Sequence, residues 1–370
     1  MRTYDVAVVG AGPAGCSAAL SAARSGLAVA LFDRRREPAS RCWEVLPAAA
    51  RPLLSELDIW TDFHSSKPVE VEGFVTAWGD AEPVASDSLW DPYGCGWLID
   101  RPLFDEACRR AAVRAGVDLH AGRGVTSSRR VGALWHVESR GDDGPCTAAA
   151  RMLLDASGRS SPPPPGARRL VYDRLIGVAR PYAGSRGTPG NHVLIEACPE
   201  GWFYTAPASA TSVLVVFMTD SDLGRASGRP VSDAFDSCLS EAPHTSAWIS
   251  GLGPAGPLRT SPAHTSLTFV QTLSGRALVG DSSFSLDPLS GQGLYHALAS
   301  GIKVARAAAG FLADSPHDLK AYQSEVRAAF RRFEQRRREE YGREGRWPHR
   351  PFWSRRKGSE RPQGGSHDGN

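Results

Sequence analysis

Residues 4–33 read YDVAVVGAGPAGCSAALSAARSGLAVALFD. The apolar run at 4–9 has the pattern of a buried parallel strand, residues 13–25 are small helix formers, and 27–33 is apolar again. Strand, helix and strand make one βαβ unit of about thirty residues. Between the first strand and the helix stand Gly10, Ala11, Gly12, Pro13, Ala14 and Gly15. The first glycine permits a tight turn, the second lets a pyrophosphate approach the backbone, and the third allows close helix packing. The helix N-terminus adds free N–H groups and the positive end of a dipole. Asp33 closes the second strand, placed to accept hydrogen bonds from a ribose, and Arg34 follows it. This combination predicts a dinucleotide-binding fold. Nicotinamide and flavin cofactors share the signature, so the loop alone does not choose between them.

A second glycine-bearing loop stands far along the chain, in GDSSFSLDPLSGQGLYHAL at 280–298. An apolar strand enters Gly280-Asp281, and Gly291, Gln292 and Gly293 open a helix. Asp281 could hydrogen-bond a polyol such as ribityl, and the glycines could bring N–H groups to a pyrophosphate or a flavin carbonyl. The plainer reading is an Asx-turn followed by a helix cap. Paired with the first loop, the arrangement predicts two halves of one clamp around a large ligand.

Bulk properties narrow the class. The chain has 370 residues, 41% hydrophobic and 22% charged, which predicts a well-buried core. A net charge of +3 makes no case for nucleic acid. No apolar run approaches the roughly 20 residues of a membrane span, and no signal peptide precedes the first strand. A soluble, cytoplasmic protein is expected. The seven cysteines form no C-x-x-C pair, and their odd number argues against a disulfide framework. The histidines show no metal spacing, so no metal site is expected, and His296 reads as packing. Positive charge gathers late, in FRRFEQRRREEYGREGRWPHRPFWSRR (330–356), where interleaved glutamates predict a solvated helix face rather than a docking surface.

Further elements are predicted at 48–57 (helix), 73–79 (strand), 100–116 (helix), 133–139 and 151–159 (strands). SSPPPPGA (160–167) reads as a loop. β-Rich segments follow, interrupted by a helical stretch near 230–240, then two long helices at about 292–312 and 317–340.

Three segments now carry a resemblance. The first loop, DASGRSS (155–161) and VGDSSFSLDPLSGQGL (279–294) resemble the three FAD fingerprints of the para-hydroxybenzoate hydroxylase superfamily, and more narrowly its tryptophan-halogenase-like branch. RCWEVLPAAARPLLSELDIW (41–60) is similar to that branch's Arg-x-Gly-Glu-Ser-Leu-Pro segment, and GCGWLIDRPLFDEAC (94–108) to its Gly-Trp-x-x-Asp-Arg segment. With the similar tail EYGREGRWPHRPFWSRR (340–356), the resemblance spans about residues 4 to 356. It is nearest to flavoprotein monooxygenases that mature quinone-cofactor amine dehydrogenases and amino-acid oxidases by hydroxylating a tryptophan of a partner protein. The resemblance implies that Gly10, Gly12, Gly15 and Asp33 hold the ADP part of FAD. It also implies that Arg41 and Arg101 lie along the cofactor, and that Asp281, Gly291 and Gly293 meet ribityl, pyrophosphate or isoalloxazine. For each arginine the plainer alternative is a surface ion pair. The chain departs from the family at Trp43, where glycine is usual, and at Val45, where serine is.

The expected fold class is α/β: a Rossmann-like FAD-binding layer with an inserted β-sheet substrate domain and C-terminal helices. The first part of the FAD-binding domain is expected at 1–165, with inserted strands about 68–98. A β-rich substrate domain is expected at 166–275, the return to the first domain with the C-terminal helices at 276–357, and a disordered tail at 358–370.

GWFYTAP (201–207) is the telling segment for substrate. Flavin halogenases carry Trp-x-Trp-x-Ile-Pro at a comparable place, and here the frame reads Trp202-Phe203-Tyr204-Thr205-Ala206-Pro207. Trp202 and Tyr204 are read as a wall of an aromatic substrate pocket, against the alternative of core aromatics in a strand. Trp78, Trp90 and Trp97 invite the same reading more weakly. A halogenase also needs a lysine between flavin and substrate, and only Lys67 of the four lysines lies in a plausible region. The mechanism this implies is attack of an electron-rich ring on a flavin C4a-hydroperoxide, with backbone N–H groups from Pro288 to Gly293 assisting. NAD(P)H or a partner flavin reductase supplies the electrons. The substrate is read as a tryptophan-bearing protein or peptide, otherwise a small aromatic molecule. A flavin halogenase, a prenyl-type flavoprotein reductase and a non-catalytic escort flavoprotein are the other readings.

Overall fold

The computed structural model describes residues 1–38, 44–88, 93–184, 190–223, 231–270, 275–357 and 363–364. The opening βαβ unit seeds a seven-stranded sheet. Strand Arg2–Val9 lies parallel between Val29–Asp33 and Gly144–Asp155, with Val8 opposite Leu31 and Val9 opposite Asp155. Asp118–Ala121 extends one edge, and the antiparallel strands Leu134–Gly141 and Gly124–Val131 extend the other. Val6 and Val8 pack with the helices Pro13–Arg24 and Arg101–Arg114, whereas Ala7, Ala30 and Phe32 pack with Trp135 and Val137. From Arg276 the chain returns to this sheet, where Arg276–Leu278 runs parallel to Gly144–Asp155.

The first helix is small-residue for a packing reason. A Cβ on Gly15 would lie 1.8 Å from the Gly10 carbonyl oxygen, and one on Gly301 would meet Ser17 Cβ at 2.6 Å and Ala14 O at 2.7 Å. Helices Pro13–Arg24 and Gly293–Leu312 therefore touch backbone to backbone. Ser17 Oγ seals the contact by donating to the Leu298 carbonyl at 2.8 Å.

The inserted region forms an eight-stranded sheet built around Leu175–Ala183, Ser212–Asp220, Gly201–Ser209 and His192–Cys198. Gly73–Ala77 joins it in parallel beside His192–Cys198, and Val84–Asp87 pairs beyond. The other early strands, Glu44–Leu46, Val69–Val71 and Gly96–Ile99, make a small sheet of their own. Alternation along Gly201–Ser209 splits its side chains. Phe203 packs with Phe217 and Phe235 on one face, and Trp202 packs with Tyr341 and Trp353 on the other.

Several expectations change in detail. The helix expected at 48–57 is a 3₁₀ turn, Ala48–Ala50, running into Arg51–Glu56. The strand expected at 73–79 ends at Ala77, because Trp78 leaves the sheet and donates its Nε1–H to the Glu340 carbonyl at 2.8 Å. The last long helix runs His317–Arg343, and a further helix, Pro351–Lys357, follows it. The basic tail is only partly a solvated face. Arg331, Arg332, Arg336 and Arg338 are exposed, but Tyr341, Glu344, Phe352 and Trp353 are buried. Arg356 is buried too, paired with Asp220 at 2.7 Å. Of the tail expected to be disordered, Gln363–Gly364 forms a two-residue strand against Leu170–Val171. The rest of 358–370 lies outside the described residues. Among the described residues, no helix is long and apolar enough to cross a membrane.

Trp353 is 0% exposed and donates to the Cys198 carbonyl at 3.0 Å, tying the last helix to the eight-stranded sheet. Trp353→Ala is expected to cost about 3–5 kcal/mol, read as a lower urea midpoint with an unchanged slope.

Candidate cofactor and active site

At the first loop, Gly10 (φ +100°) takes a backbone conformation that favours glycine, and a Cβ there would meet Ala156 O at 2.5 Å. Gly12 is different, because a Cβ on it would meet nothing within 4 Å. It caps the helix Pro13–Arg24 with extended backbone and no side-chain cap, so the terminal amides stay open to a ligand. Pro13 and Ala14 are buried in the first turn. Asp33 is already engaged: its Oδ2 accepts the Ala11 N–H at 2.8 Å and its Oδ1 accepts the Arg35 N–H at 2.8 Å. A carboxylate has about four acceptor sites, so capacity for a ribose hydroxyl is left. Arg34 is exposed just beyond, its Cβ lying 3.3 Å from where a Gly124 Cβ would be.

Arg109 is the residue that sequence reasoning missed here. Buried at 4% exposure, it pairs with Asp33 at 3.1 Å and donates to the carbonyls of Ala11 and Arg36 at 3.3 and 3.0 Å. The one available signal was an arginine amid small apolar residues on a predicted helix.

The second loop meets the first through Gly280 (φ +60°), where a Cβ would lie 2.7 Å from Ala14 Cβ. Asp281 pairs with Arg159 at 3.2 Å, and Arg159 also donates to the Leu286 carbonyl at 3.0 Å. The middle segment DASGRSS is thereby joined to the second loop. Pro288–Ser290 forms a 3₁₀ turn ending at Gly291 (φ +61°), and the helix starts at Gly293 after an uncapped Gln292. A Cβ on Gly291 or Gly293 would meet nothing within 4 Å. Two uncapped helix N-termini, each bearing an open glycine, therefore belong to helices that pack against each other. This donor set fits an FAD, whose anionic pyrophosphate suits helix amides.

Asp287, also missed in the sequence, is fully buried. It accepts the Leu289 N–H at 3.0 Å and the Tyr341 O–H at 2.9 Å, while Arg337 stands at 3.8 Å. Burial pushes its carboxyl above the ordinary range, and Arg337 opposes that rise. Trp202 completes the chain, donating Nε1–H to Tyr341 Oη at 3.0 Å.

That placement corrects the reading of Trp202. At 1% exposure it is a core residue among Trp78, Tyr341 and Trp353, and walls no open pocket. Trp97 is likewise core, packed against Trp60 and Phe63. Tyr204 is half-buried and packs with two clusters, one holding Leu289 of the second loop and the other Val45. Arg101 is neither a surface pair nor free. It is 4% exposed and held by Glu44 at 2.5 Å and Asp105 at 3.1 Å. Arg41, Trp43 and Trp90 lie outside the described residues.

Comparison with known proteins agrees with this geometry. The family model "FAD dependent oxidoreductase" matches residues 5–59. The chain is 27% identical over 362 residues to LodB, a putative FAD-dependent oxidoreductase of Marinomonas mediterranea, spanning 96% of this chain and 97% of that one. Two solved structures share the fold. The myxobacterial chondrochloren halogenase CndH, an FAD-dependent halogenase, has TM-score 0.88 at 23% identity, covering 96% of this chain and 86% of its own. The peptidyl tryptophan dihydroxylase QhpG, essential for tryptophylquinone cofactor biogenesis, has TM-score 0.77 at 22% identity, covering 97% and 79%. The chain is an FAD-dependent enzyme, similar to FAD-dependent oxidoreductases along nearly its whole length. It has the fold shared by flavin halogenases and QhpG, with FAD as its cofactor.

Two outcomes are expected. Asp281→Ala should raise the FAD dissociation constant at least about tenfold, read by flavin fluorescence on titration, which corresponds to about 1.4 kcal/mol. The second concerns His296, which is half-buried against Phe284 with ring centroids 3.9 Å apart and a pKa lowered by loss of solvent around its ring. Its folded-state pKa lies below the unfolded value of about 6.5, so the unfolded chain binds the proton first. Its contribution is therefore intact above about pH 6.5 and is lost as pH falls below it. His296→Gln should flatten part of the acid-side decline in urea midpoint, the remainder coming from His120 and His264, which burial also lowers.

Proposed function

We propose that this FAD-dependent oxidoreductase is a monooxygenase that hydroxylates an electron-rich aromatic ring, a tryptophan side chain of a partner protein in quinone-cofactor biogenesis. The observation that carries the reading is the face of strand Gly201–Ser209 occupied by Tyr204. It packs into the same apolar cluster as Leu289, from the turn that opens the second cofactor loop. A flat ring bound against Tyr204 would lie beside that loop. The likeness to QhpG, a peptidyl tryptophan dihydroxylase, supports a polypeptide substrate.

The lysines support oxygen rather than halogen transfer. Lys67 is exposed in a turn, Lys303 pairs with Glu325 at the surface, and Lys320 and Lys357 are exposed. None is placed between the second loop and Tyr204.

Reduced FAD, when bound, supplies the activation of oxygen. The chain supplies position and exclusion of water. Tyr204 orients the ring within a near-attack distance of about 3–3.5 Å. Pro288 has no N–H and the amides of Leu289 to Gln292 are spent within the turn, so Gly293 at the uncapped helix start offers the donor where negative charge develops. Buried Asp287 holds that turn in shape by capping the Leu289 N–H. The electrons come from NAD(P)H or a partner flavin reductase.

The test is turnover of the FAD-loaded protein with a chemical reductant and a tryptophan-bearing peptide under isotopically labelled oxygen. The expected result is a labelled oxygen atom on the indole, found by mass spectrometry. Reductant consumption without oxygen on the ring, or a bromide-dependent bromination instead, would overturn the proposal.

A further inference from the structure

We infer that Tyr341 is a positioning residue for bound FAD, acting through Asp287 on the turn that opens the second cofactor loop. FAD as the cofactor is all that this requires; the reaction that FAD then performs does not enter.

Asp287 is 0% exposed, and a carboxylate so placed is unfavourable unless hydrogen bonds meet it. Its Oδ1 accepts the Leu289 N–H at 3.0 Å, and its Oδ2 accepts the Tyr341 O–H at 2.9 Å. Arg337 stands farther off at 3.8 Å, committed to Asp173 at 2.8 Å and Glu334 at 3.0 Å. Tyr341 is thus the close side-chain donor to this carboxylate. Behind it, Trp202 donates Nε1–H to Tyr341 Oη at 3.0 Å. An indole N–H can only donate, so Tyr341 accepts on that side and gives its own proton to Asp287. Burial pushes the phenol above its ordinary range, which keeps that proton on the oxygen.

The support that Asp287 receives is passed to the backbone of the turn Pro288–Ser290. Besides the Leu289 N–H on its carboxylate, its carbonyl accepts the Ser290 N–H at 3.1 Å and Ser290 Oγ at 2.8 Å. Gly291 then takes the left-handed conformation at φ +61°, and the uncapped helix starts at Gly293. The place of Asp287 therefore sets where Gly291 and Gly293 stand. A serine or asparagine could cap such a turn unaided. A buried acid anchored from outside is needed only where the position of the turn matters, not just its shape. Both anchors are remote in sequence: Tyr341 lies near the end of helix His317–Arg343, and Trp202 on strand Gly201–Ser209.

The experiment is a double-mutant cycle on the full chain, with Tyr341→Phe and Asp287→Asn made singly and together. Phenylalanine keeps the ring contacts with Trp78 and Trp353 and loses only the two bonds of the hydroxyl. Asparagine keeps an oxygen to cap Leu289 and gives Tyr341 no carboxylate oxygen to donate to. FAD dissociation constants are read from flavin fluorescence on titration, the visible band of bound FAD from absorbance, and thermal midpoints without FAD. Each single variant is expected to raise the FAD dissociation constant about fivefold and to shift the visible band. The double variant should do no more than either alone, because both changes break the same bond. An unchanged dissociation constant and band in Tyr341→Phe, with a lower thermal midpoint, would overturn the inference and mark a bond that serves only the core. Losses that multiply in the double variant would also overturn it, since Tyr341 would then act by another route. If Tyr341→Phe does not fold, Asp287→Asn decides alone: wild-type FAD binding overturns the inference, and a raised dissociation constant upholds it. Hydroxylation is not measured, so the monooxygenase reading can fail while the role of Tyr341 stands.

Discussion

Ser17 and Gly301 hold two helices at backbone distance, and the cofactor clamp depends on that contact. The Ser17–Leu298 hydrogen bond joins residues 281 positions apart. It is possible only because position 301 has no side chain to push Ala14 and Ser17 away. Each helix carries one open glycine loop at its N-terminus. Their packing brings the two helices that follow the glycine loops into one layer, and Gly280 against Ala14 tightens the same seam. Neither loop would define a dinucleotide site by itself.

Around the seam and beyond it runs a set of buried and half-buried charges that need one another. Asp33 is neutralised by Arg109, Asp281 by Arg159, Asp287 by Arg337, and Asp220 by Arg356. Buried ion pairs are weak sources of stability, because desolvation offsets much of their attraction. Their directional demands are strong, however, since removing one partner strands the other. Here each pair ties a cofactor loop or a strand end to an element distant in sequence. The arrangement is better understood as fixing geometry than as adding strength. The chain Trp202–Tyr341–Asp287 extends this logic from the eight-stranded sheet to the turn at Pro288.

What could be read in the sequence was local. The glycine spacing at 10–15, the acid at 33 and the glycines at 291 and 293 are statements about one turn or one helix end, and each lies where its local pattern placed it. The partners were not legible, because nothing near Asp33 points to Arg109, or near Asp281 to Arg159. Trp202 shows the same limit from the other side. Its alternation on the strand was readable, but which face the C-terminal helices would cover was not. The charge pattern of 330–356 misled for a related reason. Arg356 and Glu344 satisfy helical spacing as if solvated, yet they are buried because Asp220 and the Arg346 side chain await them. Tyr204 kept a half-buried place on that face, with its hydroxyl unpaired.

The helix Pro351–Lys357 has a meaning for synthesis. It puts Phe352 and Trp353 into the core of a sheet whose own strands end near residue 262. The first sheet likewise lacks Arg276–Leu278 and the helix at 293 until late. Chains emerge N-terminus first, and domains commonly fold as units while they do so. This molecule cannot follow that course. The first sheet is completed only by Arg276–Leu278 and the helix after it, and the eight-stranded sheet stays uncovered until the last described helix has left the ribosome, so apolar strands such as Ser212–Asp220 remain open to chaperones or to other nascent chains for most of translation.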